Sequence, residues 1–220
     1  MAESAAQISP SDVDALELDK ISFLGEGAFG YVDLVVYDGQ QCALKIGLAK
    51  KVLPSFENER AMMEQVAGAG GAPRVLAFCP ERPALVMTFC GATDLIDIVQ
   101  KLLFREERDL LTIALQLTQA VRELHQKGVV HCDLKPDNVV VQMDDEGRPQ
   151  TEWYCRCYYS GDELSLKCDM PGLGSTIAYL MEAMHKIPKE RREILAMTSE
   201  PDHDQRLGTE GLSALLQRLL

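Results

Sequence analysis

Short runs of apolar and β-branched residues dominate the chain between Ile21 and Ile46. Three such runs, ISFL, YVDLVVY and QCALKI, are separated by a glycine-rich segment and by the pair Asp38-Gly39. An Asp-Gly pair between two apolar runs is a strong signal for a two-residue hairpin turn. The pattern therefore predicts antiparallel strands here, with the glycine-rich segment between the first two.

Helical spacing of apolar residues replaces the strand pattern in two segments. Residues 55–67 (SFENERAMMEQVA) repeat apolar positions at helical intervals, with Ser55 as the expected N-cap and Gly68 as the expected stop. After two more strand-like runs, RVLAF and ALVMTF, a long helix is predicted within residues 106–128. Its apolar stripe consists of Leu110, Ile113, Ala114, Leu117, Val121 and Leu124.

These changes of pattern predict an α+β fold with three parts. Residues 1–18 are small, polar and acidic, and we expect them to form a flexible lead. Residues 19–87 form a small β-rich half, and residues 88–220 form a larger, mainly helical half. The 220 residues, of which 46% are hydrophobic, are sufficient to bury a proper core.

Charge and cysteine content narrow the partners and the compartment. The net charge of −12 would repel a phosphate backbone, so we expect no nucleic-acid partner. The sequence contains no run of 18 apolar residues and does not begin like a secretory signal, which predicts a soluble protein without membrane contact. Seven cysteines at irregular spacing indicate reduced thiols and a cytoplasmic or nuclear location.

A polar loop, VVHCDLKPDNVVV, joins two β-branched runs at residues 129–141. Phosphoryl transfer needs a carboxylate that orients the attacking hydroxyl, a cation near the transferring phosphate and an oxygen ligand for a metal. Asp133, Lys135 and Asn138 provide one of each. The alternative interpretation is an Asx-rich turn that only joins a helix to a hairpin.

Three motifs in order along the chain resemble those of the eukaryotic-type protein kinases. GEGAFGYV at residues 25–32 matches the glycine-rich loop, and CALK at residues 42–45 lies where the family has Val-Ala-Ile-Lys. HCDLKPDN at residues 131–138 matches the catalytic loop, with Cys132 in place of Arg. The resemblance covers nearly the whole chain and implies a bilobal fold, ATP as ligand and a protein as substrate or partner.

In the β-rich half, the resemblance implies that Lys45 holds the α- and β-phosphates and pairs with a glutamate on the next helix. Glu59 is favoured over Glu57 and Glu64 because it leaves one shared apolar face, made by Phe56, Ala61, Met62 and Val66.

Around the adenine, the resemblance implies that Met87 guards the back of the pocket. The Thr88 carbonyl and the Cys90 N–H would be the backbone partners of the base. The remaining ATP-binding residues would be Gly25, Gly27, Gly30, Val32 and Ala43.

In the helical half, the resemblance makes Asp133 the catalytic base and Asn138 a ligand for Mg²⁺. Lys135 would contact the γ-phosphate as in serine/threonine-type members, which favours that specificity over tyrosine. Asp169 would anchor the backbone of the loop. Arg206 corresponds to an arginine that normally meets a glutamate at the end of the activation segment.

The Asp-Phe-Gly motif, whose Asp holds the metal, is missing. If VVVQ and QTEWY form a hairpin, the motif should fall at Cys155-Arg156-Cys157, and a thiol is a poor ligand for Mg²⁺. The sequence has no Ala-Pro-Glu downstream, and only residues 158–168 precede Asp169, which is too short for an ordinary activation segment.

Three replacements for the lost carboxylate are considered. Asp162 or Glu163 could reach back to the metal, whereas Asp144 and Asp145 lie in a turn expected to point away. A soft-metal site from Cys155, Cys157 and Cys168 with His131 or Cys132 lacks the paired C-x-x-C spacing of structural zinc sites, so incidental thiols are the favoured interpretation.

Three functions therefore stay open. The favoured hypothesis is a pseudokinase that binds ATP and acts through a protein partner. The second is an active serine/threonine kinase that uses Asn138 and a displaced carboxylate for its metal. The third is an interaction module that binds no nucleotide.

Overall fold

The computed structural model describes residues 5–104, 106–143, 149–153, 165–202 and 204–220. These residues form two compact units, one within Met1–Gly68 and Ala72–Phe89 and the other within Ala69–Gly71 and Cys90–Leu220. The first unit is built on a β-sheet and the second is mainly helical. The predicted α+β fold is confirmed.

The first unit contains one six-stranded sheet with a helix on each face. Its elements are β1 (Ala6–Gln7), α1 (Pro10–Leu18), β2 (Ser22–Gly27), β3 (Gly30–Tyr37), β4 (Gln40–Gly47), α2 (Leu53–Val66), β5 (Val75–Cys79) and β6 (Ala84–Thr88). The strand order is β1-β5-β6-β4-β3-β2, and only β1 and β5 run parallel. Helix α2 packs on the face that carries Lys45, and helix α1 covers the opposite face.

The strands predicted from the pattern are present, and the turn between β3 and β4 has the expected chemistry. Asp38 and Gly39 both have positive φ, 50° and 75°, as the tight hairpin turn requires. Helix α2 starts earlier than predicted: Pro54 lies in its first turn, so Ser55 is not the N-cap. It ends at Val66, and its C-cap Ala67, directly before Gly68, is left-handed with φ of 53°.

The expected flexible lead is instead ordered structure from Ala6 onward. Strand β1 extends the sheet, and α1 begins with a capping box in which Ser9 and Asp12 satisfy each other's backbone N–H groups. Val13 on this helix is fully buried. The segment is ordered because the opposite face of the sheet is apolar and gains from being covered.

The second unit is organised around one long helix. Its elements are α3 (Leu95–Lys101), α4 (Glu107–Gln126), β7 (Val139–Met143), β8 (Pro149–Trp153), α5 (Met170–Leu180), α6 (Glu190–Thr198) and α7 (Thr209–Gln217). All six residues of the predicted stripe on α4 are buried, where they face α5 and α7. In the described part of the chain, no helix is long and apolar enough to span a membrane.

Candidate active site

The glycine-rich segment is the turn region of the β2–β3 hairpin. Gly25 pairs with Val32 and Gly27 pairs with Gly30, so the glycines lie at the tip. A Cβ on Gly30 would lie 2.2 Å from the carbonyl oxygen of Ile46, which means that only glycine allows this approach to β4. A Cβ on Gly25 would meet no atom within 4 Å, so this part of the hairpin leaves open space beside the backbone.

Several predicted ATP-binding residues share one face of the sheet. Val32 on β3 lies opposite Lys45 on β4, and Ala43 on β4 lies opposite Met87 on β6. Since Ala43 and Lys45 are two residues apart on one strand, all four side chains point to the same side. Met87 is fully buried there and Ala43 nearly so, which gives this face an apolar floor.

Lys45 and Glu59 form a buried ion pair on this face. The Lys45 Nζ donates to Glu59 Oε2, and both side chains are less than a tenth exposed. The ammonium also lies 5.3 Å from the centroid of the Phe56 ring. Glu57 is exposed, and Glu64 pairs with Arg60 on its own helix. Of the three candidate glutamates, Glu59 is therefore the one that pairs with Lys45.

The apolar face of α2 differs from the one predicted. Phe56 and Val66 are buried as expected, but Met63 is buried in place of Ala61, which is exposed. Burial of Met63 is compatible with the ion pair because residues 56, 59, 63 and 66 follow the three- and four-residue steps of one helix face.

The predicted adenine contacts lie at the end of β6 and just beyond it. The Thr88 N–H donates to the Arg74 carbonyl at 3.0 Å, and the Thr88 hydroxyl accepts from the Arg74 N–H at 3.0 Å. Cys90 is buried and begins the segment Cys90–Leu220 of the second unit. The roles of Thr88 and Cys90 toward adenine stay predictions.

In the second unit, Asp169 holds the backbone of the polar loop. Its carboxylate, 2% exposed, accepts from the N–H groups of His131 at 2.8 Å and Cys132 at 2.7 Å. The same carboxylate is 2.9 Å from Nε2 of His125 at the end of α4. These contacts support Cys132 in a left-handed conformation, with φ of 63°. The anchoring contact agrees with the sequence analysis, whereas the part taken by His125 was not foreseen.

The three polar residues of the loop lie together. The Asn138 amide donates to the Asp133 carboxylate at 2.9 Å and to the Asp133 carbonyl at 2.8 Å, and Lys135 Nζ is 3.1 Å from the same carboxylate. Asn138 is buried, while Asp133 and Lys135 are about a third to two-fifths exposed. The carboxylate is thus oriented by two donors and still accessible, as a group that accepts a substrate proton must be.

The buried His131 side chain stabilises this loop through a hydrogen bond with its backbone. Its Nδ1 accepts from the Asp133 N–H at 3.2 Å, which requires an unprotonated Nδ1. Burial lowers the pKa of His131, although the neighbouring Asp169 acts in the opposite direction. The neutral imidazole therefore suits both the packing and the hydrogen bond.

Comparison with known proteins identifies the fold. The model of the protein kinase domain matches residues 18–148, more than half of the chain. The chain belongs to the protein kinase family. Its relatives include human serine/threonine-protein kinase 16, 34% identical over 142 residues that cover 59% of this chain and 46% of that protein. They also include the Caenorhabditis elegans serine/threonine-protein kinase unc-51, 31% identical over 143 residues (58% of this chain, 16% of the relative).

A third relative is casein kinase I homolog 1 of Schizosaccharomyces pombe, 29% identical over 139 residues that cover 59% of this chain and 29% of that protein. The aligned part of the kinase domain spans less than half the length of each of these relatives. Residues 149–220 lie beyond the range matched by the family model.

Among the described residues, Asn138 could provide a ligand for a metal. With its amide nitrogen donating to Asp133, Asn138 leaves its side-chain oxygen as a hard donor of the kind that Mg²⁺ prefers. Within the described ranges, no group of three or more His, Cys, Asp or Glu side chains is arranged to hold a metal ion. The described residues therefore fit part of a Mg²⁺ site.

The predicted position of the missing motif follows β8, which pairs with β7 from Val139–Trp153 to Met143–Pro149. Cys155, Arg156 and Cys157 lie outside the described residues. The same holds for the considered carboxylates, Asp144, Asp145, Asp162 and Glu163. Cys132 and Cys168 are described and are free thiols.

Arg206 binds two backbone carbonyls in the described part of the chain. It donates through Nε to the Glu200 carbonyl and through Nη1 to the Lys167 carbonyl, both at 2.9 Å. Lys167 in turn donates through Nζ to the Asp204 carbonyl at 2.8 Å. The guanidinium is thus held by backbone oxygens next to α5 in a chain whose sequence lacks Ala-Pro-Glu.

Proposed function

We propose that this kinase domain binds ATP, transfers phosphate slowly or not at all, and acts through a protein partner in the cytoplasm or nucleus. The observation that carries the proposal is the sequence that follows β8. Between Gly147 and Gly161, where the metal-binding aspartate is expected, the only acidic residue is Glu152, within β8 itself.

The loss of that aspartate affects the chemical step more than nucleotide binding. In phosphoryl transfer, catalysis comes almost entirely from positioning and from neutralising charge on the transferring phosphate, and the metal supplies much of the neutralisation. Removing one such group costs about 3–4 kcal/mol of transition-state stabilisation, a factor of 10²–10³ in rate. Asn138 provides one oxygen ligand for Mg²⁺. A Mg²⁺ ion held by two protein side chains would also need a carboxylate as the second ligand.

The first unit has the features that ATP binding requires. Lys45 is held in place by Glu59 and provides a fixed cation for phosphate oxygens. Val32, Ala43 and Met87 provide an apolar surface on the same face of the sheet, suited to a planar base. These features support ATP as the ligand.

A second candidate is an active serine/threonine kinase. The arrangement of Asp133, Lys135 and Asn138 favours it, because a scaffold has no physical need for an accessible carboxylate oriented by two donors. In this case Asp162 or Glu163 would supply the second metal ligand. The relatives named above are serine/threonine kinases, and Lys135 agrees with that specificity.

The deciding measurement is the melting temperature with ATP, once with Mg²⁺ and once with EDTA. ATP at 100 times its Kd stabilises by about 2.7 kcal/mol, a shift of roughly 5–10 °C for a chain of this size. Lys45→Met should reduce this shift, because the phosphates lose their cation. The matched control Lys51→Met, which removes an exposed lysine, should not.

The pseudokinase proposal expects a shift in both media. A shift that requires Mg²⁺, together with phosphate transfer to serine or threonine peptides that Asp133→Asn abolishes, would favour the active kinase instead. The absence of any shift would leave the interaction module. We also expect Cys155→Asp alone to restore no activity, because the segment that docks a peptide is still short.

A further inference from the structure

An N-terminal segment, residues 6–20, spans the face of the sheet opposite to Lys45. We call it the N-terminal clasp. At one end, β1 pairs with β5 and the Ile8 N–H donates to the Phe78 carbonyl at 3.1 Å. Helix α1 then crosses the sheet, where Val13 and Leu16 cover an apolar surface made by Val35, Cys42, Leu44, Ile46, Ala77, Cys79, Ala84 and Val86.

The clasp reaches the first residue after the glycines. Tyr31 directly follows Gly30, and its hydroxyl donates to Glu17 Oε1 on α1. The other carboxylate oxygen of Glu17 accepts from Arg82, which also binds Asp14 one turn earlier. Glu17 is thus fixed between two donors, one on β3 and one in the turn between β5 and β6, and it fixes Tyr31 in turn.

Charge and burial agree with this arrangement. Burial, followed by the hydrogen bond to Glu17, raises the pKa of Tyr31 to about 12. The same hydrogen bond is the main cause that lowers the pKa of Glu17. The phenol therefore stays a donor and the carboxyl stays an acceptor over the whole physiological range.

A second contact holds β3 two residues further on. Asp33 is fully buried, and its carboxylate accepts from Lys20 Nζ at 3.0 and 3.2 Å. Tyr31, Asp33 and Val35 occupy alternate positions on β3, so they share the face that the clasp covers. Three successive side chains on this face are therefore tied to the same segment.

We propose that the N-terminal clasp positions the glycine-rich hairpin, with Tyr31 as the positioning residue and Glu17 as its support. Strand β2 lies at the edge of the sheet and pairs only with β3 among the described strands, so the hairpin depends on how β3 is held. Gly30 is already pressed against Ile46 on β4. Fixing Tyr31 as well restricts the backbone at the start of β3, where the glycine-rich hairpin joins it.

The consequence for the nucleotide rests on the function proposed above. A hairpin that is ordered before binding loses less conformational freedom when it closes over phosphates, so binding is tighter. Tyr31 does not face the ATP side, because Val32, its neighbour on the strand, points there. Any effect of Tyr31 on ATP affinity must therefore pass through the backbone of the hairpin.

Hydrogen exchange in the nucleotide-free protein tests the clasp directly. Tyr31→Phe keeps the ring and removes only the hydroxyl, and we expect amides of residues 25–31 to exchange about three- to tenfold faster. Tyr37→Phe is the matched control, since Tyr37 lies at the far end of the same strand and packs against the same cluster. Glu17→Gln should act in the same direction as Tyr31→Phe.

Unchanged exchange at residues 25–31 in Tyr31→Phe, or equal acceleration in Tyr37→Phe, would overturn the positioning role. The affinity for ATP is then measured on the same variants, where Tyr31→Phe should weaken binding about three- to tenfold and Tyr37→Phe should not. Faster exchange with unchanged ATP affinity would refute the link to the nucleotide. If the native chain binds no ATP at all, the proposed function fails, and the exchange result still decides the clasp.

Discussion

Replacing Asp169 by Asn should destabilise the second unit by about 2–4 kcal/mol. The carboxylate now accepts two backbone N–H groups and pairs with His125. Hydrogen bonds to a charged group contribute about 1.5–3 kcal/mol each, and a buried donor left without a partner costs about 1–3 kcal/mol. An amide keeps one acceptor and turns an NH₂ group toward the other donor, so at least one of these contacts is lost.

The loss is large because the contact joins distant parts of the chain. Asp169 is 38 residues from His131 and 44 from His125. The carboxylate is almost inaccessible to water, so solvent cannot replace the lost contact without reordering the start of α5. A loss of this size would be a considerable fraction of the 5–15 kcal/mol that stabilises a typical domain.

Urea unfolding followed by tryptophan fluorescence provides the assay. The single tryptophan, Trp153, lies on β8 in the same unit as Asp169, so its transition reports on that unit. The matched control is Asp137→Asn, which removes the same charge from an exposed position in the loop and should change stability by less than about 0.5 kcal/mol.

Combining Asp169→Asn with His125→Gln gives a double-mutant cycle, in which we expect a coupling of about 0.5–2 kcal/mol. Equal urea midpoints for Asp169→Asn and Asp137→Asn would refute the anchoring argument. A coupling of zero would refute only the contribution of His125.

Three further outcomes follow from packing and burial. Gly30→Ala should destabilise by about 2–3 kcal/mol in thermal melts, because its Cβ would overlap the Ile46 carbonyl, while Gly25→Ala should be nearly neutral. Gly174→Ala should cost about 1–3 kcal/mol because its Cβ would lie 1.9 Å from Thr198 Oγ1 across α5 and α6; Gly208→Ala, which meets no atom within 4 Å, is the control.

The third outcome concerns pH. Burial lowers the pKa of His131 in the folded chain. In the unfolded chain this histidine takes up a proton near pH 6.5, whereas the folded chain takes it up only at lower pH. Stability should be full above pH 6.5 and fall as the pH drops below it, and His131→Phe should flatten this dependence in urea titrations at pH 7.5 and 5.5. An equal slope in both proteins would contradict it.

Local patterns were sufficient for the strands β2 to β6 and for the long helix α4. Alternating apolar residues, the Asp-Gly turn and the six-residue apolar stripe are local sequence patterns. Such patterns indicate strands, hairpins and helices without any long-range contact. The order of the kinase motifs likewise identified Lys45, Glu59 and the loop residues before any contact was known. In the structure, Lys45 pairs with Glu59 in the first unit, and Asn138 and Lys135 contact Asp133 in the second.

Helix α1 is an element that local sequence patterns did not predict. Four of its nine residues are polar or acidic, and only Val13 is fully buried, so no apolar stripe predicted it. The Ser9-x-x-Asp12 capping box was a signal that could have found its start. Its stability depends on an apolar sheet face and on Arg82, which is 65 and 68 residues away from Glu17 and Asp14.

The sequence by itself determined the family, because the kinase motifs depend on residue types in a fixed order. The roles of the chemistry-bearing residues and the loss of the metal-binding aspartate stay predictions from that order. Only the tertiary structure decided which side chains hold those residues in place. The contacts of Asp169 with His125, of Arg206 with the Lys167 carbonyl and of Tyr31 with Glu17 join residues that are 44, 39 and 14 positions apart in the chain. Such contacts form because folding brings buried polar groups together, and each must then find a partner.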